Sequence, residues 1–273
     1  MRLKSGDFAG ARRVADSALA ANRSVSDANW EAIARLAGLT GKRARLAEAL
    51  QFFWPKYEQL EDLHQSVSRA AAEALANAAL GICDARPPVI ERRLGDLIRV
   101  HANPDRQALV ADRVAGTVLS FTVPCSAGGE LGNVRGPGDV ARAQRAFAGG
   151  DSRLARAILD SAARGRSDMR AADVSPMLIT REAALLLALG DTLRATAWID
   201  GSLDGLSSMS ANTLKYALEN AILVRMMATR AKLAAAANDR AKARQWSEAV
   251  AILWAGADPA LKPGVDSMQR HSR

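Results

Sequence analysis

Aromatic residues are scarce, at 4% of 273 residues. Surfaces that stack unpaired bases lean on them, so a single-strand nucleic-acid platform is not indicated. Cysteine is rarer still. Cys83 and Cys125 are too few for a disulfide framework, and neither belongs to a CxxC pair or has a His at ligand spacing. They read as small buried hydrophobes and are silent on compartment. The three histidines, His64, His101 and His271, lie far apart without HExxH or HxxxH company, so no metal site is expected. Long apolar runs are missing too. The longest charge-free stretch, about Val114 to Gly129, is interrupted by Pro124 and ends in glycines, too short and too broken to span a bilayer. Met1 to Ala11 lacks the apolar core of a signal peptide. A soluble or membrane-peripheral chain is expected.

The motifs of catalysis are absent as well. The glycine-rich run at 126–138 contains neither GxxxxGK[ST] nor GxGxxG, and it reads as a linker. There is no GxSxG elbow, and the Cys125-Ser126-Ala127-Gly128-Gly129 stretch has no placed His to activate its thiol. Glu61 and Asp62 are adjacent in sequence and so cannot face one another on a helix. No catalytic residue, cofactor or metal is therefore assigned, and the chain is not expected to be an enzyme.

What the sequence does have is alanine, leucine and arginine. Hydrophobic residues make up 49%, too many for a disordered chain, and most are helix formers. The net charge is +8 and the pI about 10.1. A basic balance suits an anionic partner such as nucleic acid, anionic lipid or an acidic protein face. Arg greatly outnumbers Lys, which also reads as a compositional habit of a bacterial source. No groove-reading motif accompanies the charge, so no specific nucleic-acid partner is expected.

A local unit recurs. Gly6-Asp7 is followed by Ala11, Gly150-Asp151 by Ala155, Gly190-Asp191 by Ala195, and Asn238-Asp239 by Ala243. Gly or Asn adopts the left-handed geometry that stops one helix. The adjacent Asp caps the next. The Ala one turn later sits where two helices touch. Ahead of Gly41, Trp30, Ile33, Ala34 and Ala37 follow a Trp-x2-Leu-Gly-x2-Tyr frame with the small residue kept and the Tyr lost. Gly41 stands 35 residues after Gly6, near the period of about 34 in tetratricopeptide repeats. On these residues the chain resembles a degenerate tetratricopeptide-repeat (TPR) protein over 1–55 and 139–256. Later turns are spaced by 40 and 48 residues, which implies longer helices or loops. Leu253-Trp254-x3-Asp258-Pro259-x-Leu261-x-Pro263 resembles the close of a bacterial TPR array.

The resemblance implies an all-α fold, an α-solenoid of antiparallel helix hairpins stacked in a right-handed superhelix. It divides the chain into TPR-like pairs at 1–55, an irregular helical segment with a Gly-rich linker at 56–138, and TPR-like pairs with a C-terminal cap at 139–273. Within the middle segment, Tyr57 to Gly81 reads as one long helix. Arg86-Pro87-Pro88 breaks it, and Val89 to Val100 is amphipathic through Ile90, Leu94, Leu97 and Ile98. Pro104 starts a further helix to about Phe121, and Thr117 to Val123 has strand character without a partner strand. The chain opens almost at a hairpin turn, as the C-terminal part of a longer protein would, or one whose first helix docks on a partner.

A non-catalytic protein–protein interaction scaffold or complex subunit follows, gripping a peptide or partner subunit in a groove. Candidate contact residues are Arg225, Arg230, Lys232, Arg240, Lys242 and Arg244, which cluster with only Asp239 to offset them. Arg142, Arg145 and Arg153, with Arg135 and Arg156 nearby, form a second basic set. If both sets line the concave side they make one groove; otherwise they are solvated helix faces. Phe53 and Trp54 join them, because the consecutive aromatics Phe52-Phe53-Trp54 cannot all face one core. Trp30, Trp198 and Trp246 have helical-spaced apolar neighbours and read as core. Two other classes fit the same sequence: a membrane-extrinsic subunit stabilising a membrane-embedded complex, and the C-terminal regulatory TPR region of a multidomain signalling protein.

Overall fold

The structure is a computed structural model, and it describes residues 2–21, 29–57, 60, 63–82, 87–112, 114, 138–214 and 216–271. All regular structure among them is helical: α1 Phe8–Ala21, α2 Trp30–Thr40, α3 Arg43–Tyr57, α4 Gln65–Leu80, α5 Pro87–His101, α6 Asp139–Ala148, α7 Ser152–Arg164, α8 Pro176–Ala188, α9 Thr192–Asp204, α10 Glu219–Ala236, α11 Arg240–Leu253 and α12 Lys262–His271. The fold class is all-α.

The hairpin turns follow from the Gly-Asp dipeptides. Gly150, Gly190 and Asn238 take φ of 84°, 79° and 59°, between α6 and α7, α8 and α9, and α10 and α11. Asn238 is the one non-glycine with positive φ among the described residues. The Asp that follows works at both ends of the turn. Its N–H donates back five residues and closes the preceding helix, from Asp151 to Ala146, Asp191 to Leu186 and Asp239 to Ala234 at 2.8–2.9 Å. Its carboxylate accepts the third N–H of the following helix, from Leu154 at 2.8 Å, Arg194 at 3.3 Å and Lys242 at 3.1 Å. Asp7 does the same for Gly10 at 2.8 Å, and that bond, with the Arg2 guanidinium beside it, holds the Asp7 carboxyl below its ordinary value. Ala11, Ala155, Ala195 and Ala243 are all buried at the helix–helix contact.

Stacking order is not sequence order. The α6–α7 and α8–α9 hairpins meet through α6 and α8, and α10 packs on both α8 and α9. The next neighbours of the α10–α11 hairpin come from the start of the chain: α1 lies on α11, and α2 and α4 lie on α10. The α10 helix is therefore covered from several sides, which explains why its apolar residues are not confined to one stripe. Among them Ala221, Leu223, Val224, Met226 and Met227 are fully enclosed. A stack in which each hairpin touches only its sequence neighbours would keep residues 1–57 remote from 219–261. Here one hydrophobic cluster runs from Leu3 to Met268 and includes residues of all three sequence segments.

The seam between the two ends of the chain is specific. The Asp258 N–H donates to the Gly41 carbonyl at 3.0 Å, and its carboxylate accepts the Ala44 N–H at 2.8 Å. Asp258 thus caps α3 from the far end of the sequence. The Lys42 ammonium reaches the Gly256 carbonyl. Gly41, at φ 69°, lies so close that a β-carbon there would stand 2.7 Å from the Ala257 β-carbon and 3.0 Å from Trp254 and Leu261.

The middle segment departs from the sequence expectation. Residues 57–81 are not one helix. The α3 helix ends at Tyr57, Leu60 turns into the core with no exposed surface, and α4 begins at Gln65 under a cap in which the Ser66 N–H donates to His64 Nδ1 at 3.3 Å. One physical cause is visible: Pro55 near the end of α3 lacks an N–H, and the Gln51 carbonyl accepts the Ser68 hydroxyl of α4 at 2.8 Å instead. The α5 helix is present, with Leu94 and Ile98 buried against α4. After it, Pro104–Arg106 forms a single 3-10 turn leading into helical residues 107–112. The expected strand at 117–123, the glycine-rich run at 126–137 and both cysteines lie outside the described residues.

Candidate partner-binding surface

The basic residues singled out from sequence divide into structural and exposed groups. Arg225 is interior. Its guanidinium donates to the Ala78 carbonyl at the end of α4, and burial pulls it down to about 10. Arg230 is 4% exposed and forks onto Asp200 at 2.6 and 3.0 Å. Lys242 bridges Asp200 at 3.0 Å and Asp204 at 3.1 Å. Arg225 and Arg230 therefore do not belong to an exposed recognition face, and Asp239 is not the only acid near the set. The balancing carboxylates come from α9, in the neighbouring hairpin. Burial opposes ionisation of Asp200, but hydrogen bonds from Arg230 and Lys242 outweigh it and hold its carboxyl below the ordinary value.

This pairing repeats. Asp160 and Asp200 each stand ten residues after a hairpin's left-handed glycine, and each takes a cation four residues after the next turn: Arg194 at 2.7 Å and Lys242 at 3.0 Å. Another arginine, Arg156 of α7, donates to the Leu189 carbonyl at the end of α8, as Arg225 does for α4. Cationic donors on the last carbonyls of a helix suit its negative pole. Part of the arginine excess is thus architectural.

The remaining candidates are exposed and scattered. Lys232 lies on α10 and Arg240 on the first turn of α11, and Arg244 pairs with Glu248 at 2.7 Å. Arg142 pairs with Asp139 at 3.0 Å, and Arg145 and Arg153 are exposed on the α6–α7 hairpin. Phe53 and Trp54 are on α3, but their side chains lie outside the described residues. Phe52 is 47% exposed while its ring stacks on Trp30 at 4.5 Å. Trp246 is buried, and Trp198 is half-buried beneath the Arg166 guanidinium, 5.4 Å from its ring centre.

Two concavities bear on partner binding. The smaller, about 250 Å³, lies among α7, α8 and α9 and is lined by Arg166, Glu182, Arg194 and Trp198. Its charges already satisfy one another: Arg166 binds Glu182 at 2.5 Å, and Arg194 is held by Asp160 and Asp191. Burial raises the Glu182 carboxyl against the opposing pull of Arg166. The larger, about 520 Å³, is an open groove between α4 and α5. Ala70 and Leu97 line it apolarly, and Arg69, Arg92 and Arg93 stand around it. At the far end of the same helix pair, the rings of His64 and His101 stack in parallel at 4.1 Å.

Sequence reasoning missed this groove because it falls in the segment with the fewest repeat signals. A signal was there. Val89, Arg93, Leu97 and Val100 recur at helical spacing on a second stripe of α5, beside the Ile90, Leu94 and Ile98 stripe that packs inward. Among the described residues no group of three His, Cys, Asp or Glu is placed to hold a metal ion, and no helix is long and apolar enough to cross a membrane. No protein-family model matches the chain, and neither does any curated protein or solved structure.

Proposed function

We propose that this chain is a non-catalytic scaffold, a TPR-like stack of helix hairpins that holds a partner protein. The observation that carries the reading is the open groove between α4 and α5, with an apolar floor and an arginine rim on a helix pair braced by the rest of the core. Rigid helices presenting a shallow amphipathic groove suit recognition of another helix or an extended segment. Rim arginines add charge complementarity and speed encounter. The trans-caps and repeated inter-hairpin ion pairs support the same reading, since they fix the geometry of the presenting surface.

The test is purification of the tagged chain from its native cells under gentle detergent, followed by native mass spectrometry. The expected result is one protein bound in fixed stoichiometry. A chain that emerges alone at every salt concentration contradicts the scaffold reading.

A further inference from the structure

We infer that the α4–α5 groove takes an acidic amphipathic helix of the partner protein, an inference that rests on the scaffold reading above. The shape comes first. Two packed helices leave a furrow lined by Ser66, Ala70 and Leu97, and the small Ser66 and Ala70 on the α4 side permit close approach of a third helix. The apolar lip comes second. Val89 is 54% exposed and Val100 74%, and they flank the partly buried Leu97 on one stripe of α5. An amphipathic helix laid along the furrow would meet this stripe with its own apolar face.

Charge selects among such helices. Three arginines face two carboxylates. Asp96 is engaged by Arg99 on its own helix at 3.1 Å, and Glu73 meets Arg93 only at 3.9 Å. Among the described residues Arg69 and Arg92 pair with no carboxylate. The rim therefore favours Asp or Glu flanking the apolar stripe and disfavours Lys or Arg there. The α4 helix has 16 residues, so the matching helix is about four turns long.

The experiment uses the full chain and three fluorescein-labelled peptides of roughly 18 residues, a length that covers such a helix. One carries leucines at helical spacing flanked by Glu, the second replaces every Glu by Lys, and the third keeps the Glu but scatters the leucines. Fluorescence anisotropy should show saturable binding of the first, weakened by salt, with the Lys twin and the scattered peptide at least about tenfold weaker. Arg92→Glu/Arg93→Glu should lose about tenfold or more in affinity, while reversal of the exposed Arg164 on α7, Arg164→Glu, leaves it unchanged. Arg69→Ala, which removes one rim charge without reversing it, should weaken binding even if the double variant folds poorly. Equal binding of all three peptides, or binding indifferent to both Arg69→Ala and the double reversal, overturns the inference. So does a lack of saturable binding. If the native partner co-purifies equally with wild type and the double variant, the groove inference fails and the scaffold reading stands. If nothing co-purifies with wild type, both fall.

Discussion

Glu219 offers a quantitative handle on how the hairpins are joined. It opens α10, is 2% exposed, and accepts hydrogen bonds from the Ser175 hydroxyl and, at 3.1 Å, from the Met177 N–H. Its carboxyl thus caps α8 from the next hairpin. Burial pushes it from 4.5 up to about 7, although both hydrogen bonds pull the other way. In the unfolded chain it titrates near its ordinary value. Between those two pH values the folded chain holds a proton that the unfolded chain has released. Stability from this group is complete below about 4.5 and is lost as pH rises through about 7, by ~3 kcal/mol in total. Gln has the shape of the protonated acid and does not titrate. Urea denaturation of wild type and Glu219→Gln at pH 4.5, 6 and 8 gives the difference in stability at each pH. Contributions from Glu182, Asp7 and Asp200 are present in both chains and cancel. The variant should gain roughly 3 kcal/mol on wild type between the lowest and highest pH. A difference that is the same at all three would refute the buried, proton-holding cap.

Further consequences are open to direct measurement. Gly41→Ala should cost roughly 2–4 kcal/mol, combining left-handed strain with a clash against Ala257, whereas Gly150→Ala, at φ 84° with open space around it, should cost only about 1–2 kcal/mol; thermal melts compare them. Asp258→Ala should remove about 1 kcal/mol and raise amide exchange at the start of α3, more than two hundred residues away in sequence, as read by hydrogen–deuterium exchange. Asp200→Ala leaves the buried Arg230 with only Asp239, at 3.9 Å, and should cost roughly 3 kcal/mol by urea denaturation, with much of that recovered in Arg230→Met/Asp200→Leu.

The legible parts of this fold are the local ones. Positive φ at Gly150, Gly190 and Asn238, the cap at each following Asp, and the buried Ala a turn later all depend on a few adjacent residues. The surrounding chain does not change what those residues prefer. The inter-hairpin contacts were not legible, because Asp160 and Arg194, or Asp200 and Arg230, are neighbours only once the hairpins stack. The same cause hid the fate of the basic clusters. Arg225 and Arg230 read as surface charge until Ala78 and Asp200 are placed beside them. Docking of Asp258 on Gly41 depends on the end of the chain returning to its beginning, which no local pattern encodes. In the groove, the second stripe of α5 was written in the sequence, but its meaning needed α4 alongside.

The most direct test of the account is hydrogen–deuterium exchange on the chain purified with its partner, compared with the chain alone. New protection concentrated in 65–80 and 87–101 is the predicted result. Protection confined to the α6–α7 or α10–α11 hairpins, with α4 and α5 unchanged, would contradict it.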